Sequence, residues 1–175
     1  MQKELFCKVK LEVSETELGG VLLIKPYVFE DHRGEYIETY NKALYKEKGI
    51  EIKFVQDDIS VSTKNVLRGI HGDDCTWKLI SCLYGRFYLV VVNCDTKSKY
   101  FGKWQSFVLS DKNRLQVLVP PKYGNAHLVL SDMTIFHYKQ STYYDRSKQF
   151  TYKYDDSRLN IWWPIEKPIL SQRDD

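Results

Sequence analysis

Val66-Leu67-Arg68-Gly69-Ile70-His71, with Lys78 seven positions on, is the stretch best equipped for chemistry. An imidazole that titrates near neutral pH can take up a proton. A fixed guanidinium can hold an anion, and an ammonium can steady an oxygen that gains negative charge. Together they suffice to remove a proton next to a carbonyl. Upstream, Gln56, Asp58 and Ser60 alternate with apolar Val55, Ile59 and Val61. Downstream, Tyr138 closes Phe136-His137-Tyr138, and a phenol can return a proton to a carbanion.

These groups need strands to position them. Side chains alternate along a strand, so Gln56, Asp58 and Ser60 share one face. If that face is inward, the protein holds a polar ligand site; if outward, the three are only solvated. Strict alternation puts Arg68 and His71 on opposite faces, unless Gly69 carries a bulge that brings both inward. Lys78 shares a face with Ile80 and Cys82. An inward lysine among apolar neighbours needs a partner; otherwise it snorkels to water from the strand end. Tyr138 shares its face with Phe136 and Thr134, and either lines a site or fills the core.

The hydropathy pattern predicts strands at about 52–61, 65–71, 77–83, 86–94, 104–109, 114–119, 126–131 and 133–139. Earlier, residues 5–11 alternate and then reach polar Ser14 to Glu17. Gly19-Gly20 breaks the chain before a short strand at Val21–Pro26. Asp31 to Gly34 reads as a turn and Glu35 to Thr39 as a strand. Asn41 can cap one short helix to Lys48, stopped by Gly49. The charged, tyrosine-rich stretch 145–160 holds at most a helical turn, and Ile161-Trp162-Trp163-Pro164 is expected to dock back on the strands. Many short strands with turns between them predict an all-β sandwich or small barrel with one or two short helices.

The 175 residues fit one domain, 1–175, with a sizeable core. A hydrophobic content of 43% with 14% aromatics, including 13 tyrosines, suits strands. The net charge of +3 is too small to argue for nucleic acid. Cys7, Cys75, Cys82 and Cys94 form no C-x-x-C pair, and Cys82 and Cys94 sit in apolar runs. This usage fits a reducing cytoplasm. The first residues lack a signal-peptide apolar core, and no apolar run reaches the roughly 20 residues that span a bilayer. No G-x-G-x-x-G, P-loop or G-x-S-x-G element is present.

From about Val28 to Asp174 the chain resembles the dTDP-4-dehydrorhamnose 3,5-epimerase family of cupin nucleotide-sugar epimerases. The residues that carry this are Phe29-x-Asp31-x-Arg33-Gly34, Phe54-Val55-Gln56-Asp57-Asp58-x-Ser60, Leu67-Arg68-Gly69-x-His71 and Lys78-Leu79. Phe101-Gly102-x-Trp104, Tyr138-Lys139, Trp163-Pro164 and Pro168-Ile169-Leu170-Ser171 follow in order. The resemblance implies a cupin-type jelly-roll barrel, a homodimer that exchanges N-terminal strands, and an isomerase that needs no cofactor. It puts His71 in the position of the base, Asp174 in that of the carboxylate behind it, Tyr138 in that of the acid and Lys78 beside the enolate. Arg68 and Arg173 match diphosphate contacts, and Gln56 and Asp58 match sugar or nucleotide contacts. Arg33 and Glu38 match residues lent by the partner subunit, and Tyr144 falls where a ring stacks on the base. Many cupins bind a metal through an H-x-H pair with further ligands, but His32, His71, His127 and His137 are scattered, so no metal is expected.

The chain departs from the family pattern at three places. Gly72-Asp73 stand where Tyr-Gln is usual, with a loop about three residues shorter before Lys78. Asp58 replaces an Asn, and Asn125 replaces a second histidine, with His127 two places on. These positions read sugar and nucleotide. They resemble the branch that acts on GDP-linked 4-keto-heptoses in bacterial capsule synthesis, with dTDP-4-dehydrorhamnose 3,5-epimerase proper as the alternative. A cupin 3,4-ketoisomerase, which moves the carbonyl, and a sugar-binding cupin without catalysis are further alternatives.

Overall fold

The computed structural model describes residues 10–175. In chain order the elements are β1 (Glu12–Glu15), β2 (Leu22–Lys25), β3 (Val28–Asp31), β4 (Gly34–Ile37), α1 (Lys42–Glu47) and β5 (Gln56–Thr63). Then come β6 (Leu67–Gly72), β7 (Lys78–Tyr84), β8 (Arg86–Asn93), β9 (Trp104–Ser110), β10 (Gln116–Val119), β11 (Tyr123–Val129), β12 (Met133–Gln140) and β13 (Phe150–Thr151). A 3₁₀ turn at Arg146–Lys148 precedes β13. Two antiparallel sheets face each other, ordered β1-β2-β10-β7-β12-β5 and β13-β6-β11-β8-β9. This is the jelly roll that the strand pattern and the resemblance imply.

The packing follows from the sequence. β8, Arg86-Phe-Tyr-Leu-Val-Val-Val-Asn93, is buried on both faces. Phe87, Leu89 and Val91 meet Ile80, Val117 and Phe136 between the sheets. Tyr88, Val90 and Val92 face outward and are covered by the tail, where Trp163 packs against the last two strips of core. Each such side chain contributes about 1.5–3 kcal/mol when taken from water. The expected docking of the tail is thus present, and Trp163 Nε1 donates to the Tyr154 carbonyl at 2.8 Å. On the other outer face, Tyr45 of α1 covers Ile24, Leu79 and Leu118. Asn41 caps α1 by accepting from the Ala43 and Leu44 amides.

Some boundaries differ from expectation. The strand expected from 52 begins at Gln56. Residues 5–9 lie outside the described part; the first strand there is β1, and it includes Ser14 and Glu15, read above as following a strand. An edge strand in which only Val13 is partly buried tolerates polar residues at its other positions, so alternation does not mark it. β3 was not expected: it pairs with β4 across the two-residue turn His32-Arg33, in a hairpin separate from both sheets. Among the described residues no helix is long and apolar enough to cross a membrane.

Candidate active site

Gly69 settles the problem of Arg68 and His71. On β11, Asn125 and His127 are two residues apart, yet they pair with His71 and Arg68, three apart on β6. The extra residue is a bulge, with Gly69 at φ +112°. A Cβ at Gly69 would lie 2.5 Å from the Asn125 carbonyl oxygen and 2.8 Å from Ala126. Arg68 and His71 therefore line the same cavity, of about 420 Å³.

The inner wall is polar. Gln56, Asp58 and Ser60 of β5 face the cavity, and Tyr138 of β12 stands opposite Asp58 in the ladder. The apolar residues of β5 take the other face, where Ile59 and Val61 are 62% and 54% exposed. Asp58 accepts from both Gln56 Nε2 and Gln140 Nε2 at 2.8 Å. Gln140 follows Tyr138 by two, so alternation alone places it on the wall.

The C-terminal tail brings a carboxylate to His71. A parallel bridge joins Ile169 to Val66, beside the start of β6. The chain then turns through Ser171, and Asp174 Oδ1 lies 2.6 Å from His71 Nε2. Ser171 Oγ donates to Asp174 Oδ2 at 2.9 Å. Burial works to raise the Asp174 pKa, but the His71 ring, the Ser171 hydroxyl and the Gly69 amide outweigh it and hold the carboxyl below its ordinary value. An ionised carboxylate only accepts, so Nε2 carries the hydrogen and Nδ1 is the basic nitrogen of His71.

Lys78 does point inward. It is buried, and its Nζ donates to Asn125 Oδ1 at 3.1 Å. Burial, helped by Arg173, pushes its pKa down to about 8 against the pull of Asp73. Tyr138 also lines the cavity; burial, then Asp58 and Tyr144, push its phenol up to about 12. At neutral pH it is a donor. The ring that lines the deep wall is His127, stacked on Phe136 at 4.0 Å. Burial, with the Arg68 and His71 charges, pushes its pKa down to about 3, so it is neutral.

At the mouth, Arg173 donates to the Tyr144 hydroxyl at 3.2 Å and to Thr151 Oγ1 at 3.3 Å. Gln56 Oε1 accepts from the Tyr144 amide at 2.9 Å. Arg68 Nε donates to Ser62 Oγ at 2.9 Å. Gln149 also lines the cavity, from an irregular segment where no sequence period could reveal it. Of the residues singled out from the sequence, Arg33 and Glu38 do not reach this cavity in their own chain. Arg33 sits on the β3–β4 turn, paired with Asp31 at 2.6 Å, beside Phe29 and Tyr36. The histidines do not gather: His137 turns to the other face of β12, bonded to Ser81.

A basic imidazole, an ammonium and a phenol on one cavity, with arginines at its rim, can move a proton on and off a carbon beside a ketone and hold an attached anion. The dTDP-4-dehydrorhamnose 3,5-epimerase of Shigella flexneri is 36% identical over 168 residues, 94% of this chain and 93% of that protein. The epimerase of Legionella pneumophila Philadelphia 1, solved in complex with dTDP-4-keto-L-rhamnose, superposes with a TM-score of 0.89 at 34% identity, covering 94% of this chain and 90% of that one. ChmJ, a 3'-monoepimerase from Streptomyces bikiniensis solved in complex with dTDP-quinovose, superposes at 0.84 with 27% identity, covering 91% and 83%. Residues 15–175 match the description of one family, and the chain belongs to it: the dTDP-4-dehydrorhamnose 3,5-epimerases, a family of isomerases.

Proposed function

We propose that this chain inverts C3, or C3 and C5, of a nucleotide-diphosphate 4-keto sugar by removing and returning a proton. The observation that carries this is the His71–Asp174 pair, which shares one cavity with Lys78 and Tyr138. The C4 ketone acidifies the neighbouring C–H. His71 Nδ1 takes that proton, and the electron pair moves onto the ketone oxygen as an enolate. Lys78 steadies that oxygen. Inversion needs a proton on the opposite face, and Tyr138 is the donor there. Arg68 and Arg173 would hold the diphosphate, Gln56 and Asp58 the sugar or nucleoside, and Tyr144 the base.

The substrate that the relatives favour is the dTDP-linked 4-keto-6-deoxyhexose named in the Legionella complex. None of the relatives named above is a GDP-heptose enzyme, so the reading drawn from Asp58, Gly72 and Asn125 becomes second. Asp58 and Asn125 do line the cavity, but that is common to both readings and does not favour a GDP-heptose. Both kinds of outcome, inversion at one centre and at two, occur among the named relatives. NMR in D₂O with dTDP- and GDP-linked 4-keto sugars decides both points: deuterium enters each carbon that is inverted, and only the true nucleotide supports turnover. No uptake with any of them would end the reading.

A homodimer is part of the proposal. Ile59 and Val61, with Leu83, Tyr84 and Met133, leave an apolar strip on the outside of the first sheet. By the family resemblance, the second copy would lend Arg33 of its hairpin, and Glu38 just beyond β4, to the cavity. Light scattering of the purified protein tests the stoichiometry.

A further inference from the structure

Asp73 lies outside the catalytic set, in the short loop between β6 and β7, yet it is buried and every oxygen is used. Its Oδ1 accepts from the Cys75 and Thr76 amides at 2.9 and 2.6 Å. Its Oδ2 accepts from Gln149 Nε2 at 2.7 Å, and its carbonyl accepts from the Lys122 amide at 2.7 Å. The loop can pass so close because Gly72 has no side chain: a Cβ there would meet the Phe150 ring at 2.5 Å. β13 thus lies along β6, Phe150 opposite Gly72, and delivers Gln149 to the cavity.

A carboxylate only accepts. Burial works to raise the Asp73 pKa, but its hydrogen bonds and Lys78 hold it low, so it is ionised. It therefore fixes which way round the Gln149 amide stands: one N–H of the NH₂ end is donated to Asp73 Oδ2, and the C=O end is turned away from it toward a ligand. We infer that Asp73 is a positioning residue, which turns Gln149 into a hydrogen-bond acceptor and selects a ligand carrying a donor, a sugar hydroxyl or a base N–H, at that point. This rests on the nucleotide-sugar reading above. It concerns specificity, not proton transfer.

The test is calorimetric binding of dTDP, GDP, dTDP-glucose and GDP-mannose to the intact protein. Gln149→Met fills the same space without an acceptor and is expected to weaken binding about 3- to 10-fold, the worth of one neutral hydrogen bond. Loss confined to the sugar conjugates assigns the donor to a hydroxyl; equal loss on the free diphosphate assigns it to the base. Asp73→Asn keeps the loop's Oδ1 acceptor but presents an NH₂ to Gln149, which turns the amide round and gives a similar loss. The double variant Asp73→Asn/Gln149→Glu restores an oxygen on the ligand side and is expected to recover wild-type affinity. A merely structural role for Asp73 predicts no such rescue. Wild-type affinity in Gln149→Met, or a double variant no better than Asp73→Asn, overturns the inference. Wild-type protein that binds none of the four ligands removes the nucleotide-sugar reading itself, and this one with it.

Discussion

The Asp174 carboxylate meets His71 Nε2 at 2.6 Å across 103 residues of chain. One partner comes from a strand in the barrel wall and the other from the last turn of the tail. The bridge between Ile169 and Val66 makes that meeting reproducible, because it anchors the tail next to the strand that carries the histidine. The pair fixes the tautomer, and the tautomer decides which nitrogen can act as base.

Replacing His71 by Asn is expected to abolish deuterium uptake from D₂O, a fall of about 10²–10⁴ in rate. Asp174→Asn keeps an oxygen near Nε2 but removes the charge behind the ring, and a smaller loss is expected. Proton NMR of a 4-keto substrate checks both. Exchange at the wild-type rate in His71→Asn would remove the base assigned here.

Tyr138→Phe separates the two halves of the reaction. Abstraction by His71 does not need the phenol, so deuterium should still enter the substrate. Delivery to the opposite face does need it, so the inverted product should fall about 10²–10³-fold. Measuring washout and epimer in the same tube distinguishes this from a general loss of activity. Parallel loss of both would mean that the phenol is needed for abstraction or binding as well.

Lys78 sets activity and stability against each other. Its ammonium is the form that steadies an enolate, and its pKa is pushed down to about 8, so activity should decline as pH rises through about 8. Stability runs the other way. Between about 8 and the ordinary lysine value the unfolded chain binds more protons than the folded one, so this group's contribution to stability increases with pH there. Lys78→Met is expected to cost about 10²–10³ in rate while raising the melting temperature at pH 7. Thermal melts beside initial rates over pH 7–9.5 check both. A melting temperature that falls in Lys78→Met would mean that Nζ is better compensated than its single neutral partner, Asn125, implies.

What was legible in the sequence, and what was not, divides along physical lines. The main strands were legible because alternation and long apolar runs such as Phe87–Val92 report directly on burial. Alternation also grouped Gln56, Asp58 and Ser60, but could not say whether their face was inward, since a polar inner wall inverts the usual rule. The phase of Arg68 against His71 hung on a bulge, which a glycine permits without requiring. Asp73 and Gln149 were invisible as a pair: they meet through an irregular loop and a two-residue strand, and neither carries a period. Motif resemblance supplied Asp174, which no local pattern connects to His71.

The bulge yields its own prediction. Gly69→Ala adds a Cβ that must sit 2.5 Å from a backbone oxygen, at a φ that alanine avoids. Neither β6 nor β11 can yield without breaking the ladder. We expect a loss of about 2 kcal/mol or more in stability, and little activity in whatever folds, because Arg68 and His71 no longer share a side. Chemical denaturation gives the first quantity. A variant that is folded, stable and active would show that the extra residue can be accommodated elsewhere along β6.

His127 provides a prediction about acid. Its pKa is pushed down to about 3 by burial and by the neighbouring Arg68 and His71 charges. Because the folded-state value lies below the ordinary histidine value, the group's stabilising contribution is complete above pH 6.5 and is lost as pH falls toward 3. In that window the unfolded chain takes up a proton that the folded one refuses. His127→Phe keeps a flat ring against Phe136 and has no proton to take. Its melting temperature should therefore fall less steeply than that of the wild type between pH 6.5 and 4. Asp174 and Asp73 also lose stabilising charge toward acid, so some slope remains in the variant. Identical slopes in the two proteins would mean that the ring accepts its proton while still folded, which would require Arg68 to move away from it.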